Sequence, residues 1–149
     1  MSGDLYHEAI VRLARAARGA GRLAAPDATV TLDNPLCGDR VTLELRLVEG
    51  RVAALAHRVR GCLLCEAAAS VIGEAAVGAA AADALEGRAF LEAVLGGGSG
   101  PKERWRELEV FTPVASVPSR HRCVLLPFEA LCAALTGPSA AAPQRTGPR

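Results

Sequence analysis

Three cysteines and one aspartate, far apart along the chain, are the residues best placed to do chemistry. Cys37 and Asp39 share the run Asn34-Pro-Leu-Cys-Gly-Asp39, Cys62 lies in Arg60-Gly-Cys-Leu-Leu-Cys65, and Cys123 closes Pro118-Ser-Arg-His-Arg-Cys123. Each run falls at the border of a regular element, where a side chain can converge on a common point without being lost in a core. Three thiolates and a carboxylate can complete a tetrahedral zinc site, and the same donors can hold iron with sulfide. No hydrolytic triad stands out as strongly.

In an extended loop, residues two apart point the same way, and the glycine of Cys37-Gly38-Asp39 lets backbone crowd a metal. The carboxylate is the weaker ligand for a soft ion and is the natural place for exchange. Taken alone, a hairpin turn with Cys37 as a small hydrophobe explains this run equally well. Cys62 follows Gly61 at a helix start, where unpaired amides and the helix dipole favour negative charge. Cys62 and Cys65 have the Cys-x-x-Cys spacing of a redox dithiol or half a zinc ribbon. The chain has no second such pair and its sheet reads antiparallel, so Cys65 is expected to be a packed or accessory thiol.

Arg120, His121 and Arg122 precede Cys123 and could hold the surplus negative charge of such a site. His121 could itself ligate, although a histidine in a basic loop is expected to face solvent. Cys132, nine residues past Cys123, falls half a revolution away on a helix and is assigned to the core. His7 and His57 have no cysteine or acidic partner close in sequence and are assigned to the surface.

These residues need a scaffold. At 149 residues the chain is expected to be one domain that buries about two-thirds of its unfolded surface. Half the residues are apolar, but aromatics are only 3%, so the core must be packed mainly from alanine, leucine, valine and isoleucine. Basic and acidic side chains nearly cancel at 17 against 16, which removes the electrostatic footprint of a nucleic-acid binder. No apolar run approaches the roughly 20 residues that span a bilayer. Residues 1–21, with Asp4 and Glu8 among the arginines and a stripe of Leu5, Ala9, Leu13 and Ala16, read as a first helix and not as a transit peptide. The cytosol is the expected compartment, where clustered thiols more often bind metal than form disulfides.

The periodicity predicts an α+β fold: a three-stranded antiparallel meander with helices packed on one face and the other face wet. The strands are expected at Asp27–Leu32, Val41–Val48 and Val52–Val59, with a tight turn at Glu49-Gly50. Helices are expected over Glu66–Gly78, Ala81–Leu95 and Val124–Leu135, with Pro127 in or before the first turn of the last one. A short helix containing Trp105 is expected after the Gly96–Gly100 break. Residues 1–136 then form the domain and 137–149 a disordered tail.

With these residues placed, the chain resembles the U-type iron–sulfur cluster assembly scaffolds, the family containing IscU, SufU and the N-terminal domain of NifU. The likeness runs from Leu5 to Leu135. It is carried by Asn34-Pro-x-Cys-Gly-Asp39, by Gly61-Cys62 before a small-residue helix, and by Arg120-His-Arg-Cys-Val-Leu-Leu-Pro127, which resembles an Arg-x-Lys-Cys-x-x-Leu-Pro pattern. The long stretch from Cys62 to Cys123 and the arginine before Cys123 are similar to the SufU branch. Arg15-Ala-Ala-Arg-Gly-Ala-Gly21 departs from the His-x-x-x-Pro-Arg-Asn element usual after the first helix.

The resemblance implies zinc, or a transient iron–sulfur cluster, bound by Cys37, Asp39, Cys62 and Cys123. It implies a cysteine desulfurase as partner, with apo iron–sulfur proteins as acceptors. It also implies a scaffold or sulfur-transfer protein in place of a conventional enzyme. Cys37, in the glycine-flanked loop, is the expected sulfur acceptor, with Cys123 as second choice. Two other readings remain: a zinc-stabilised interaction module without sulfur traffic, and a dithiol oxidoreductase using Cys62 and Cys65.

Overall fold

The computed structural model describes residues 2–36, 38–98 and 100–136, and the side chains of these from His7 onward. In order, helix α1 (Ser2–Ala16) precedes strands β1 (Ala28–Asn34), β2 (Asp39–Val48) and β3 (Arg51–Arg60). Helices α2 (Leu63–Ala75) and α3 (Ala81–Leu95) follow, then tighter 3-10 segments at Glu103–Ser116 and Pro118–Arg120, and finally α4 (His121–Thr136).

Alternation of apolar and polar residues builds the sheet. The strands pair antiparallel in the order β1-β2-β3, with Val30 opposite Leu43 and Leu32 opposite Val41. Across the other edge of β2, Leu43 faces His57 and Leu45 faces Leu55. Val41, Leu43 and Leu45 are all buried, with α4 packed on β1 and β2 and α2 packed on β3. The β2–β3 turn has both Glu49 and Gly50 at positive φ, the backbone a two-residue hairpin requires. This is the α+β meander that the sequence predicts.

The opposite face is drier than expected. Leu23 donates its N–H to Glu44 at 2.8 Å, and Arg58 reaches both Glu44, at 3.6 Å, and the Gly21 carbonyl. This connection covers Glu44 and Ala56, which are buried. The same segment guards the free edge of β3, where His57 donates its N–H to Gly19 and accepts from Gly21.

Other boundaries moved for identifiable reasons. The buried face of α1 is Ile10, Leu13 and Ala14, whereas Ala16 is exposed, so the apolar stripe is rotated from the one expected; the side chain of Leu5 lies outside the described residues. The segment with Trp105 is a pair of 3-10 stretches that meet at a kink at Trp105 and extend to Ser116, anchored where the indole N–H meets the Asp83 carbonyl at 2.9 Å and the ring meets Phe128 edge-on at 5.3 Å. Helix α4 starts at His121, before the expected Val124, because the 3-10 turn Pro118–Arg120 leads directly into it. Pro127 therefore falls in its second turn, where the ring has no N–H to offer the Cys123 carbonyl. The expected tail, 137–149, and Ser99 of the glycine-rich break lie outside the described residues.

Candidate metal centre

Three of the four expected donors come together. Asp39 opens β2, Cys62 is the N-cap of α2, and Cys123 lies in the first turn of α4. The carboxylate oxygen of Asp39 and the sulfurs of Cys62 and Cys123 all lie within 4.8 Å of one another. Cys37 lies outside the described residues. Its neighbours are tied down by Asn34, whose side-chain oxygen accepts from the Leu36 N–H at 3.2 Å and whose carbonyl accepts from Gly38 at 2.8 Å. Asn34 is itself paired with Asp39 across the β1–β2 ladder.

Asp39 is buried, with 2% exposure, yet its charge is met by the protein. One carboxylate oxygen accepts from the Cys62 backbone N–H at 3.1 Å, and the other lies 3.8 Å from the Cys62 sulfur. The Gly61-Cys62 pair has a steric reason. A methyl group at Gly61 would overlap the Asp39 carboxylate, so only glycine lets that side chain reach the start of α2. Both thiols sit at helix starts, where unpaired amides collect positive potential.

Of the three cations before Cys123, one faces the site. Arg120 is held in its charged form first by a hydrogen bond to the Cys62 thiol and then by one to Cys123. Arg122 turns instead to Glu129, at 3.5 Å. The ring Nε2 of His121 meets the carbonyls of Val114, at 3.0 Å, and Ala115. That bond fixes it as a donor on the preceding segment, half-buried where a solvent-facing ring was expected.

Cys65 is fully buried one turn into α2 and is not among the converging donors. Burial pushes its thiol up strongly, and the charges of Asp39, Cys62, Cys123 and Glu66 push further in the same direction. None of Cys62, Cys65, Cys123 and Cys132 is in a disulfide. Cys132 is core, as expected, against the Ala84 carbonyl, and His7 is exposed. His57 is not a surface residue. It is 4% exposed, because the β3 register places it opposite Leu43 on the buried face.

The donor chemistry fits zinc. A tetrahedral ion with Zn–S near 2.3 Å and Zn–O near 2.0 Å holds two sulfurs roughly 3.8 Å apart and a sulfur and an oxygen roughly 3.5 Å apart. The sulfur–carboxylate separation at Cys62, 3.8 Å, is close to that value and the rest of the group is within 4.8 Å. Arg120 offsets part of the excess anionic charge.

Comparison with known proteins places this geometry in context. The model of the NifU-like N-terminal domain matches residues 5–134. The iron–sulfur cluster assembly scaffold protein IscU of Streptococcus pyogenes is 31% identical over 103 residues, covering 68% of this chain and 65% of that protein, just under two thirds of its length. The IscU scaffold of Thermotoga maritima is 27% identical over 133 residues, covering 88% of this chain and 92% of its own. A crystal structure of a nitrogen-fixing NifU-like protein (N-terminal) from Brucella abortus superposes with a TM-score of 0.82 at 33% identity. It covers 88% of this chain and 92% of that one. No helix among the described residues is long and apolar enough to cross a membrane.

Proposed function

Because this chain belongs to the NifU-like N-terminal domain family, we propose that it is an iron–sulfur cluster assembly scaffold that takes up sulfur at a metal-linked site. Cys37, Asp39, Cys62 and Cys123 form that site. The observation that carries this reading is the convergence of Asp39, Cys62 and Cys123 from three separate elements to within 4.8 Å. The curated relatives, both named as iron–sulfur cluster assembly scaffolds, support it.

The resident ion in this reading is zinc, held by the four side chains. When bound, it keeps their sulfurs anionic and ties the β1–β2 loop, α2 and α4 into one unit. The sulfur comes from a cysteine desulfurase that carries it as a persulfide. The Cys37 thiolate attacks the outer persulfide sulfur. A new S–S bond forms at Cys37, the desulfurase S–S bond breaks, and the desulfurase cysteine leaves as thiolate, so no external oxidant or reductant is needed. Cys37 is the acceptor because it lies between Leu36, which is 92% exposed, and a glycine at φ +75°. Cys123 is fully buried and is the second choice. Arg120, bonded to the Cys62 and Cys123 thiols, holds anionic sulfur in place throughout. Iron and sulfide are cargo, assembled on the same donors and passed to apo iron–sulfur proteins.

The test is to mix each single Cys→Ser variant with a cysteine desulfurase and free cysteine and to locate persulfide by mass spectrometry. Loading on wild type and on Cys65→Ser, lost in Cys37→Ser, is the expected pattern. Sulfur still loaded on Cys37→Ser would remove Cys37 as acceptor, and no loading on any form would remove the sulfur-transfer reading. The strongly raised pKa of the buried Cys65 counts against a Cys62–Cys65 dithiol oxidoreductase, because the thiol that resolves a mixed disulfide must attack as thiolate.

A further inference from the structure

A further thiol stands directly behind the metal centre. Cys62 is the N-cap of α2, so Leu63, Leu64 and Cys65 are its first three helical positions. In a helix the Cα–Cβ bonds tilt toward the N-terminus. A side chain at the third position reaches back over the cap, as it does in a capping box. At this cap lies the metal centre itself, because the Cys62 N–H is taken by the Asp39 carboxylate at 3.1 Å. The Cys65 side chain is therefore directed at the place where Asp39 and Cys62 meet.

This sulfur has no other role in the fold. It is fully buried and in no disulfide. Cys132, buried in the core, rests against the Ala84 carbonyl at 3.5 Å, whereas Cys65 meets no such acceptor among the described residues. Burial first, and then the charges of Asp39, Cys62 and Cys123 with Glu66, hold it protonated. Packing does not call for a thiol here, since Ala67, Ala68 and Ala69 fill the buried positions that follow. Cys-x-x-Cys is also the spacing at which two thiolates share one zinc in structural sites. The imidazole nearest in sequence to Cys123 is not a rival, because His121 Nε2 is spent on the Val114 and Ala115 carbonyls.

We propose that Cys65 is a reserve ligand, which takes up the position on zinc that Cys37 leaves when it carries sulfur; this rests on the metal site proposed above. In the resting protein Cys37 holds that position and Cys65 stays a buried thiol. When Cys37 is away, Cys65 gives its S–H proton to water and binds as thiolate, since a coordinating thiol is deprotonated outright. One thiolate leaves the ion and one joins it, so the charge of the site is unchanged and no oxidant or reductant is needed. The consequence is retention. With Asp39, Cys62 and Cys123 alone, one position would stand open to water.

Cys37→Ala imitates the vacated position, and X-ray absorption at the zinc edge of the full-length, zinc-loaded variants counts the sulfurs. Wild type and Cys65→Ala should both show three sulfurs and one oxygen. Cys37→Ala should also keep three sulfurs, with Cys65 as the third, and the double variant Cys37→Ala/Cys65→Ala should fall to two. Competition with a chromophoric chelator should find zinc held at least about tenfold more weakly by the double variant than by Cys37→Ala, the low end of the loss for disturbing even a residue that orients a ligand. Cys65→Ser in the Cys37→Ala background keeps a polar group of similar size and should match Cys65→Ala, which separates lost ligation from lost packing. Two sulfurs in Cys37→Ala, or equal retention by the single and double variants, overturns the proposal. So does a shell of two sulfurs in Cys65→Ala, which would make Cys65 a resident ligand. Fewer than three sulfurs in wild type would remove the metal site proposed above, and this inference with it.

Discussion

The carboxylate of Asp39 accepts the backbone N–H of Cys62 at 3.1 Å, joining the first residue of β2 to the cap of α2. This bond does two things at once. It satisfies a donor left over at a helix start, and it fixes a potential oxygen ligand beside a potential sulfur ligand. Asp39→Ala should therefore destabilise the metal-free protein by about 1–3 kcal/mol in urea unfolding. Asp39→Asn keeps an acceptor oxygen and should lose less than half as much. Equal losses would mean that the hydrogen bond contributes nothing.

Gly61→Ala should weaken zinc retention by about 10–100-fold, the usual effect of disturbing the residues that orient a ligand. The added methyl would overlap the Asp39 carboxylate. Competition with a chromophoric chelator reads the change, and wild-type retention in this variant would contradict it.

Arg120 reaches both described thiols of the site. Arg120→Ala should slow persulfide loading about tenfold, within the value of hydrogen bonds to charged groups. Arg120→Lys should recover part of the rate, since it keeps the charge and loses the fork. The side chain is only half-buried, so thermal stability should change little. Wild-type loading by Arg120→Ala would exclude this role.

Burial lowers the pKa of His57, and its bond to the Arg18 carbonyl only partly offsets the shift. The folded protein then binds fewer protons than the unfolded chain at acid pH. The stability from the neutral ring is complete above the ordinary value of 6.5 and is lost as pH falls below it. Unfolding free energy measured from about pH 8 to 5 should fall more steeply for wild type than for His57→Phe. Parallel slopes would contradict the assignment.

Much of this was legible in the chain because the signals were local. Period-two alternation in Val41–Val48 marked both the strand and its buried face, and Gly61-Cys62 before an alanine-rich run marked a helix start. What failed was set by neighbours distant in sequence. His57 continues the alternation of Leu55 and Val59, a signal that could have found it, but with no cysteine or acidic partner close in sequence it reads as a surface residue. Only the β2 register and the Arg18 carbonyl explain its burial. Which of Arg120, His121 and Arg122 faces the thiols depends on Glu129 and on the Val114 and Ala115 carbonyls, none of which spacing reveals. A proline is expected in or before a first turn, which sets the expected start of α4 at Val124, whereas a 3-10 turn carries the chain into the helix at His121.

The central claim is that four donors from three segments share one ion. X-ray absorption at the zinc edge of zinc-loaded protein tests it most directly. The account predicts about one zinc per chain, with three sulfurs near 2.3 Å and one oxygen near 2.0 Å. A shell with two sulfurs or fewer, or one containing imidazole nitrogen, would contradict it.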